Sequence, residues 1–281
     1  MFTLNNTTVS FQIKHSCNKR CSYCSLDKDN KPFFSDSELL LNFKKIYHKI
    51  DAYMKSIKKD MVPSIVGGEP TYWSYEFQKE ILETIKTCKK YLLFTNGFDV
   101  SSPLFKDSRA IPYIHVLDYS DLNSVSCILD KVQETNKKEW YICTVVVHNS
   151  LYFIKKYLEF MRERDLEKHI YLQPCDHSEA RFYLSQEELK ELSNFCEENN
   201  FVGMGEKTSS KSVHLLTPSV YLNCWQNRSL YVDIVKNIIS SCDHWTYPTS
   251  LDDIYDIGKY LENQKLPCID KRCTSPIHCD L

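Results

Sequence analysis

His15-Ser16-Cys17-Asn18-Lys19-Arg20-Cys21-Ser22-Tyr23-Cys24 places three cysteines at Cys-x3-Cys-x2-Cys spacing, directly after an alternating apolar run, Val9, Phe11 and Ile13. The alternation reads as a strand, and the cysteines as a loop leaving it. Thiolates are soft ligands suited to iron–sulfur clusters or zinc. Three so close together can hold three corners of a cubane cluster. The next cysteine is Cys88, so one metal of that cluster would keep an open position. An open position lets a metal bind a substrate or cofactor instead of serving only as a staple. A three-cysteine zinc knuckle completed by a distant His or Cys is the competing reading of the spacing alone.

Outward from this loop, composition narrows the classes. The 281 residues suffice for one barrel-sized domain with a small appendage. Thirty-five basic residues nearly balance 37 acidic ones, for a formal charge of -2. That is not the basic footprint of a nucleic-acid binder. The first residues, Met1-Phe2-Thr3-Leu4-Asn5-Asn6, lack a basic and then apolar secretory pattern, and Thr144-Val145-Val146-Val147 is too short to span a bilayer. A soluble cytoplasmic protein with no membrane segment is expected. In a reducing compartment, 13 cysteines point to metal or redox chemistry and not to disulfides. Three lie at 17–24 and five at 224–279, while Cys88, Cys127 and Cys196 fall singly on apparent helices and read as small buried apolar residues.

Strand-like and helix-like segments alternate along the chain. Strands are expected at Thr8–Ile13, Met61–Val66, Tyr91–Phe94, Ile111–Leu117, Trp140–Val147 and Ile170–Gln173. Between and after them, helices are expected from Ser35 to about Met54, Tyr75 to Lys90, Asn123 to Glu134, Leu151 to Arg164, and Ser185 to about Glu197. Two of these open on capping boxes, Ser35 with Glu38 and Ser185 with Glu188. Six strands, five of them followed by an expected helix, predict βαβ units and a parallel sheet.

Gly67-Gly68-Glu69-Pro70 follows the second strand. Two glycines allow close backbone approach to a ligand, and a carboxylate then faces the pocket. Read alone, this is only a turn. One βα unit after the cysteine loop, it completes a pattern that resembles the radical S-adenosylmethionine (radical SAM) superfamily. That resemblance implies a partial (β/α)6 TIM-like barrel. It implies a [4Fe-4S] cluster on Cys17, Cys21 and Cys24, whose unique iron chelates the amino and carboxylate groups of SAM. Gly67, Gly68 and Glu69 would contact the SAM amino group, and Tyr23 would sit by the adenine. Asn96, in the Thr95-Asn96-Gly97 turn after the third strand, and Asp118, Ser120 and Asp121 after the fourth are further candidates for SAM contacts. His148 and Asn149 end the fifth strand, where barrel enzymes line their sites. Cys175 ends the sixth and could donate a hydrogen atom to a substrate radical, ligate a cluster, or be an ordinary buried thiol.

The tail carries a second set. Cys224 and Cys242 bracket a hairpin pattern in which Leu230, Val232 and Ile234 alternate, Lys236-Asn237 turns and Ile238-Ile239 returns. Cys268, Cys273 and Cys279 follow. This resembles the twitch or shortened SPASM extension of radical SAM enzymes, implying one auxiliary [4Fe-4S] cluster held by four of these five cysteines, with a structural zinc site as the competing reading. Asn237 stands where that extension carries glycine, an exchange αL permits, and the Cys268-x4-Cys273 spacing departs from the extension's Cys-x2-Cys. The expected division is residues 1–215 as barrel and 216–281 as a small cysteine-rich extension of hairpin and helix.

Membership would imply reductive cleavage of SAM to a 5′-deoxyadenosyl radical and abstraction of a substrate hydrogen atom. A peptide, modified as a ribosomal natural product, is the first substrate expectation. Only 16 residues precede Cys17, so a separate leader-peptide-binding protein or direct binding in the barrel mouth is expected. Dehydrogenation of a small molecule such as an aminocyclitol is the alternative, and a non-catalytic iron–sulfur or zinc scaffold is the alternative of another class. An electron donor such as flavodoxin or ferredoxin is the implied partner.

Overall fold

The computed structural model describes residues 8–24, 26, 34–117, 119–120, 122–135, 137–174, 184–199, 201, 230–240 and 249–263. Among the described residues, nine strands form one sheet. They are β1 (Thr8–Gln12), β2 (Val62–Val66), β3 (Tyr91–Thr95), β4 (Ala110–Val116), β5 (Tyr141–Val146), β6 (Ile170–Pro174), β7 (Leu230–Asp233), β8 (Ile238–Ser240) and β9 (Thr249–Ser250), in the order β6-β5-β4-β3-β2-β1-β7-β8-β9. Strands β1 to β6 pair in sequence and in parallel, and all six expected strands are present within a residue or two of their expected ends. The helices are α1 (Asp36–Ser56), α2 (Tyr75–Thr84), α3 (Pro103–Lys106), α4 (Asn123–Gln133), α5 (Leu151–Arg162), α6 (Gln186–Glu198) and α7 (Ile257–Asn263). None is long and apolar enough to cross a membrane.

Side-chain alternation divides the sheet. Val9, Phe11 and Ile13 on β1 and after it, Ile65 on β2 and Leu93 on β3 meet the helices, and all are buried. α1 answers with Leu39, Phe43, Ile46, Ile50 and Met54 at helical spacing. Phe11 meets the Phe43 ring edge-on at 5.3 Å. On the other face the β4 and β5 register sets His115 beside Cys143, and Phe94, Tyr113, Tyr141 and Tyr171 form a continuous ring cluster. The inner wall of the barrel is thus aromatic. Burial there pushes the His115 imidazole down to about 4 and raises the Cys143 thiol.

Both capping boxes form: Glu38 Oε2 accepts from Ser35 N at 2.7 Å, and Glu188 Oε2 from Ser185 N at 2.8 Å. α2 stops at Thr84, short of the expected Lys90. Its end is sealed where the Arg109 guanidinium donates to the Ile85 carbonyl at 2.8 Å, a partner 24 residues away. α3 was not expected, although Ser102 followed by Pro103 is a helix start. Cys88 and Cys196 are buried as expected, but Cys127 is exposed, on the outer face of α4.

The tail hairpin joins the barrel sheet. β7 pairs in parallel with β1, with Gln12 opposite Asp233, and β8 returns antiparallel. Asn237 takes φ +55° in the turn, the conformation that the exchange for glycine requires. α7 then packs back on α1. The division expected at residues 215 and 216 lies outside the described residues.

Candidate metal centre

Three loops meet at the C-terminal ends of β1, β2 and β3. Gly68 N donates to Lys14 O at 3.0 Å and Glu69 N to Ser16 O at 2.9 Å, lacing the second loop to the chain entering the cysteines. A Cβ on Gly67 would lie 2.4 Å from Lys14 O; one on Gly68 would lie 2.1 Å from Ser16 O and 2.3 Å from His15 O. Gly67 also holds φ +150°. The neighbour these glycines admit is the backbone of the cysteine loop itself. From the third loop, Asn96 Nδ2 donates to Asn18 Oδ1 at 2.9 Å.

Glu69 is folded inward and fully buried. Its Oε1 accepts from Thr71 N at 2.9 Å, Thr71 Oγ1 at 2.7 Å and Thr95 Oγ1 at 2.5 Å, and its Oε2 from Asn96 N at 2.5 Å. Burial raises its carboxyl above the usual range, against the lowering by these donors. A carboxylate offers about four acceptor sites over two oxygens. Among the described residues Oε1 meets three donors and Oε2 one, so Oε2 retains capacity for another.

Cys17, Cys21 and Cys24 are half-buried free thiols. Lys19 N donates to Cys17 Sγ at 3.4 Å, Cys24 N closes a turn on Cys21 O at 3.1 Å, and Arg20 Nη1 donates to Cys17 O at 3.1 Å. Among the described residues no three His, Cys, Asp or Glu side chains gather about one point closely enough for a single metal ion. A soft, three-thiol set on one loop, with no disulfide among them, has the donor chemistry of an iron–sulfur cluster and equally of zinc.

Tyr23 lies parallel to Tyr119, rings 6.4 Å apart at 6°. Tyr119 is itself fixed by donating its hydroxyl to Val145 O at 2.9 Å. The Tyr23 hydroxyl is buried without a hydrogen bond of good geometry, beside the Tyr119 hydroxyl and the Cys21 thiol. Burial first, then those neighbours, pushes its phenol up. Sequence reading missed Tyr119, which lies just past β4 among polar candidates; an aromatic at that strand end was the available cue.

Ser120 is exposed beyond β4. His148 and Asn149 turn to α6: His148 Nδ1 meets Glu188 Oε2 at 2.9 Å, and Asn149 N donates to Glu188 Oε1 at 3.1 Å. Asp118, Asp121, Cys175, Cys224, Cys242, Cys268, Cys273 and Cys279 lie outside the described residues. Sequence reading also missed His15 with Asp233. Asp233 Oδ2 accepts from His15 Nε2 at 3.2 Å, the pair buried and 218 residues apart.

No protein-family model and no curated protein matches the chain. Among solved structures, anSMEcpe with bound AdoMet superposes with a TM-score of 0.60 at 16% identity, over 85% of this chain and 76% of that one. anSMEcpe with bound AdoMet and Cp18Cys peptide gives 0.59 at 16% identity, over 85% and 74%. SuiB from Streptococcus suis gives 0.54 at 13% identity, over 85% and 61%. At such identities the likeness is one of fold.

Proposed function

We propose that this chain, whose fold is the partial barrel of the radical SAM enzymes, holds a [4Fe-4S] cluster on Cys17, Cys21 and Cys24 and binds SAM beside it. The observation carrying this reading is the double lacing of Gly68 and Glu69 to the Lys14–Ser16 backbone. It sets a three-thiol loop against the Gly-Gly-Glu turn at the open end of a parallel sheet, where such barrels keep their sites. With both groups bound, the chemistry supplied is reductive cleavage of SAM to a 5′-deoxyadenosyl radical that takes a substrate hydrogen atom. The chain's own share is placement. Glu69 Oε2 keeps acceptor capacity for the SAM amino group, Tyr23 and Tyr119 offer aromatic faces for the adenine, and Asn96 braces Asn18 beside Cys17. Asp118 and Ser120 remain candidates for the ribose or carboxylate.

The substrate in this reading is a peptide, supported by the peptide bound to the anSMEcpe neighbour and by an inner wall of Phe94, Tyr113, Tyr141 and Tyr171. Cys175 is retained as hydrogen-atom donor, and an auxiliary cluster on four of Cys224, Cys242, Cys268, Cys273 and Cys279 as part of the same proposal. A flavodoxin or ferredoxin would supply electrons, and a separate protein would bind any leader peptide.

The test is anaerobic reconstitution followed by iron and sulfide counts, then dithionite and SAM with detection of 5′-deoxyadenosine. The parent should form product, and Cys17→Ala/Cys21→Ala/Cys24→Ala should lose it together with about four irons. About four irons left in that variant would support the auxiliary cluster. A parent that takes up zinc but no iron would overturn the reading.

A further inference from the structure

We propose that Asp233 is a positioning residue for the cysteine loop, acting through His15. The inference rests on the function proposed above for what the loop carries, and on geometry alone for the coupling. His15 is the residue between the two carbonyls, Lys14 O and Ser16 O, that receive Gly68 N and Glu69 N. One side of this three-residue segment is therefore laced to the Gly-Gly-Glu turn. The other side faces the hairpin: Ile234 N donates to Gln12 O at 2.8 Å, and the His15 imidazole reaches Asp233 Oδ2.

Asp233 is held rigid in turn. It is 0% exposed, its Oδ1 accepts from Lys236 N at 3.0 Å, and β7 fixes its backbone opposite Gln12. A polar pair buried to this degree is costly unless both members are satisfied by each other and their surroundings. An apolar pair would fill the space without specifying where the His15 ring points. The carboxylate specifies it, and with it the height at which the main chain enters Cys17. The C-terminal hairpin thus forms one wall of the site that the N-terminal cysteines build.

The experiment uses the full chain, first without metal. Hydrogen exchange would be followed at the amides of residues 14–18, Gly68 and Glu69 in the parent, Asp233→Ala, His15→Ala, the double variant, Asp233→Asn and Asp252→Ala. Asp252 accepts from Asn237 Nδ2 in the turn that follows Asp233, so its loss loosens the same end of the hairpin while leaving the His15–Asp233 contact in place. Exchange should quicken at least tenfold in Asp233→Ala and in His15→Ala, and no further in the double variant. Asp233→Asn, which keeps an acceptor oxygen, should stay within about threefold of the parent, and Asp252→Ala should match it. After reconstitution, Asp233→Ala should change the paramagnetic resonance spectrum of the reduced cluster and weaken SAM binding at least tenfold. Unchanged exchange in Asp233→Ala, or equal quickening in Asp252→Ala, would overturn the proposal. A parent that forms no cluster would defeat the functional reading, while the exchange result still decides the coupling.

Discussion

Glu69 and Thr95 show how tightly single side chains are committed at this site. Thr95 Oγ1 both donates to Glu69 and accepts from Gly97 N at 3.0 Å. Thr95→Val keeps the shape and removes both bonds, leaving a buried carboxylate short of a donor. It should lower stability by roughly 1–3 kcal/mol in urea unfolding. His115 gives the chain a pH dependence. Its imidazole falls from the usual 6.5 to about 4. The unfolded chain therefore takes up a proton first, so the stability His115 contributes is present above pH 6.5 and is lost as pH falls toward 4. Between pH 7.5 and 5 the metal-free protein should lose about 2 kcal/mol on this account, and His115→Gln should flatten that slope. The thiols and glycines of the site were legible because their spacing is local. The inward turn of Glu69 was not, since two of its four donors come from Thr95 and Asn96, at the end of the neighbouring strand. The His15–Asp233 pair was not, because nothing in either neighbourhood marks the other.

At the scale of elements, local rules placed what they govern. Ser35 and Ser185 opened helices where their capping boxes said they would, and Ser35→Ala should cost about 1 kcal/mol, read as a lowered midpoint of thermal unfolding. Rules failed where a distant partner decided the outcome: the apolar spacing of α2 runs past Thr84, but Arg109 closes it early. The tail hairpin was legible as a hairpin, with Asn237 at its left-handed turn, whereas its docking on β1 was not. Parallel pairing leaves no mark in a short alternating strand that would serve equally at any free edge. The two loops behave as one element. Gly68→Ala drives a Cβ into backbone oxygens that cannot yield alone, and should loosen the cysteine loop as much as its own. Iron retained at the Cys17, Cys21 and Cys24 site after reconstitution, counted as the excess over the Cys17→Ala/Cys21→Ala/Cys24→Ala variant, should fall at least tenfold, with far-ultraviolet dichroism unchanged.

For the molecule as a whole, the fold class and the order of six strands followed from the alternation of strand and helix, because a parallel sheet of sequential βα units has few other solutions. β1 lies inside the sheet, between β2 and β7, with Phe11 packed on Phe43 and Tyr47. Native-state hydrogen exchange should find the β1 amides among the slowest, and Phe11→Ala should cost about 3–5 kcal/mol of global stability. The position of β1 also has a bearing on synthesis. A ribosome adds roughly 5–20 residues each second, so the 218 residues from His15 to Asp233 take on the order of 10–45 s to appear. For that interval the nascent strand has one open edge, a hazard for sticking to other chains. If the chain holds the cluster proposed for it, insertion into the emerging polypeptide would meet a cradle with one side missing, and maturation would follow the release of the hairpin from the ribosome.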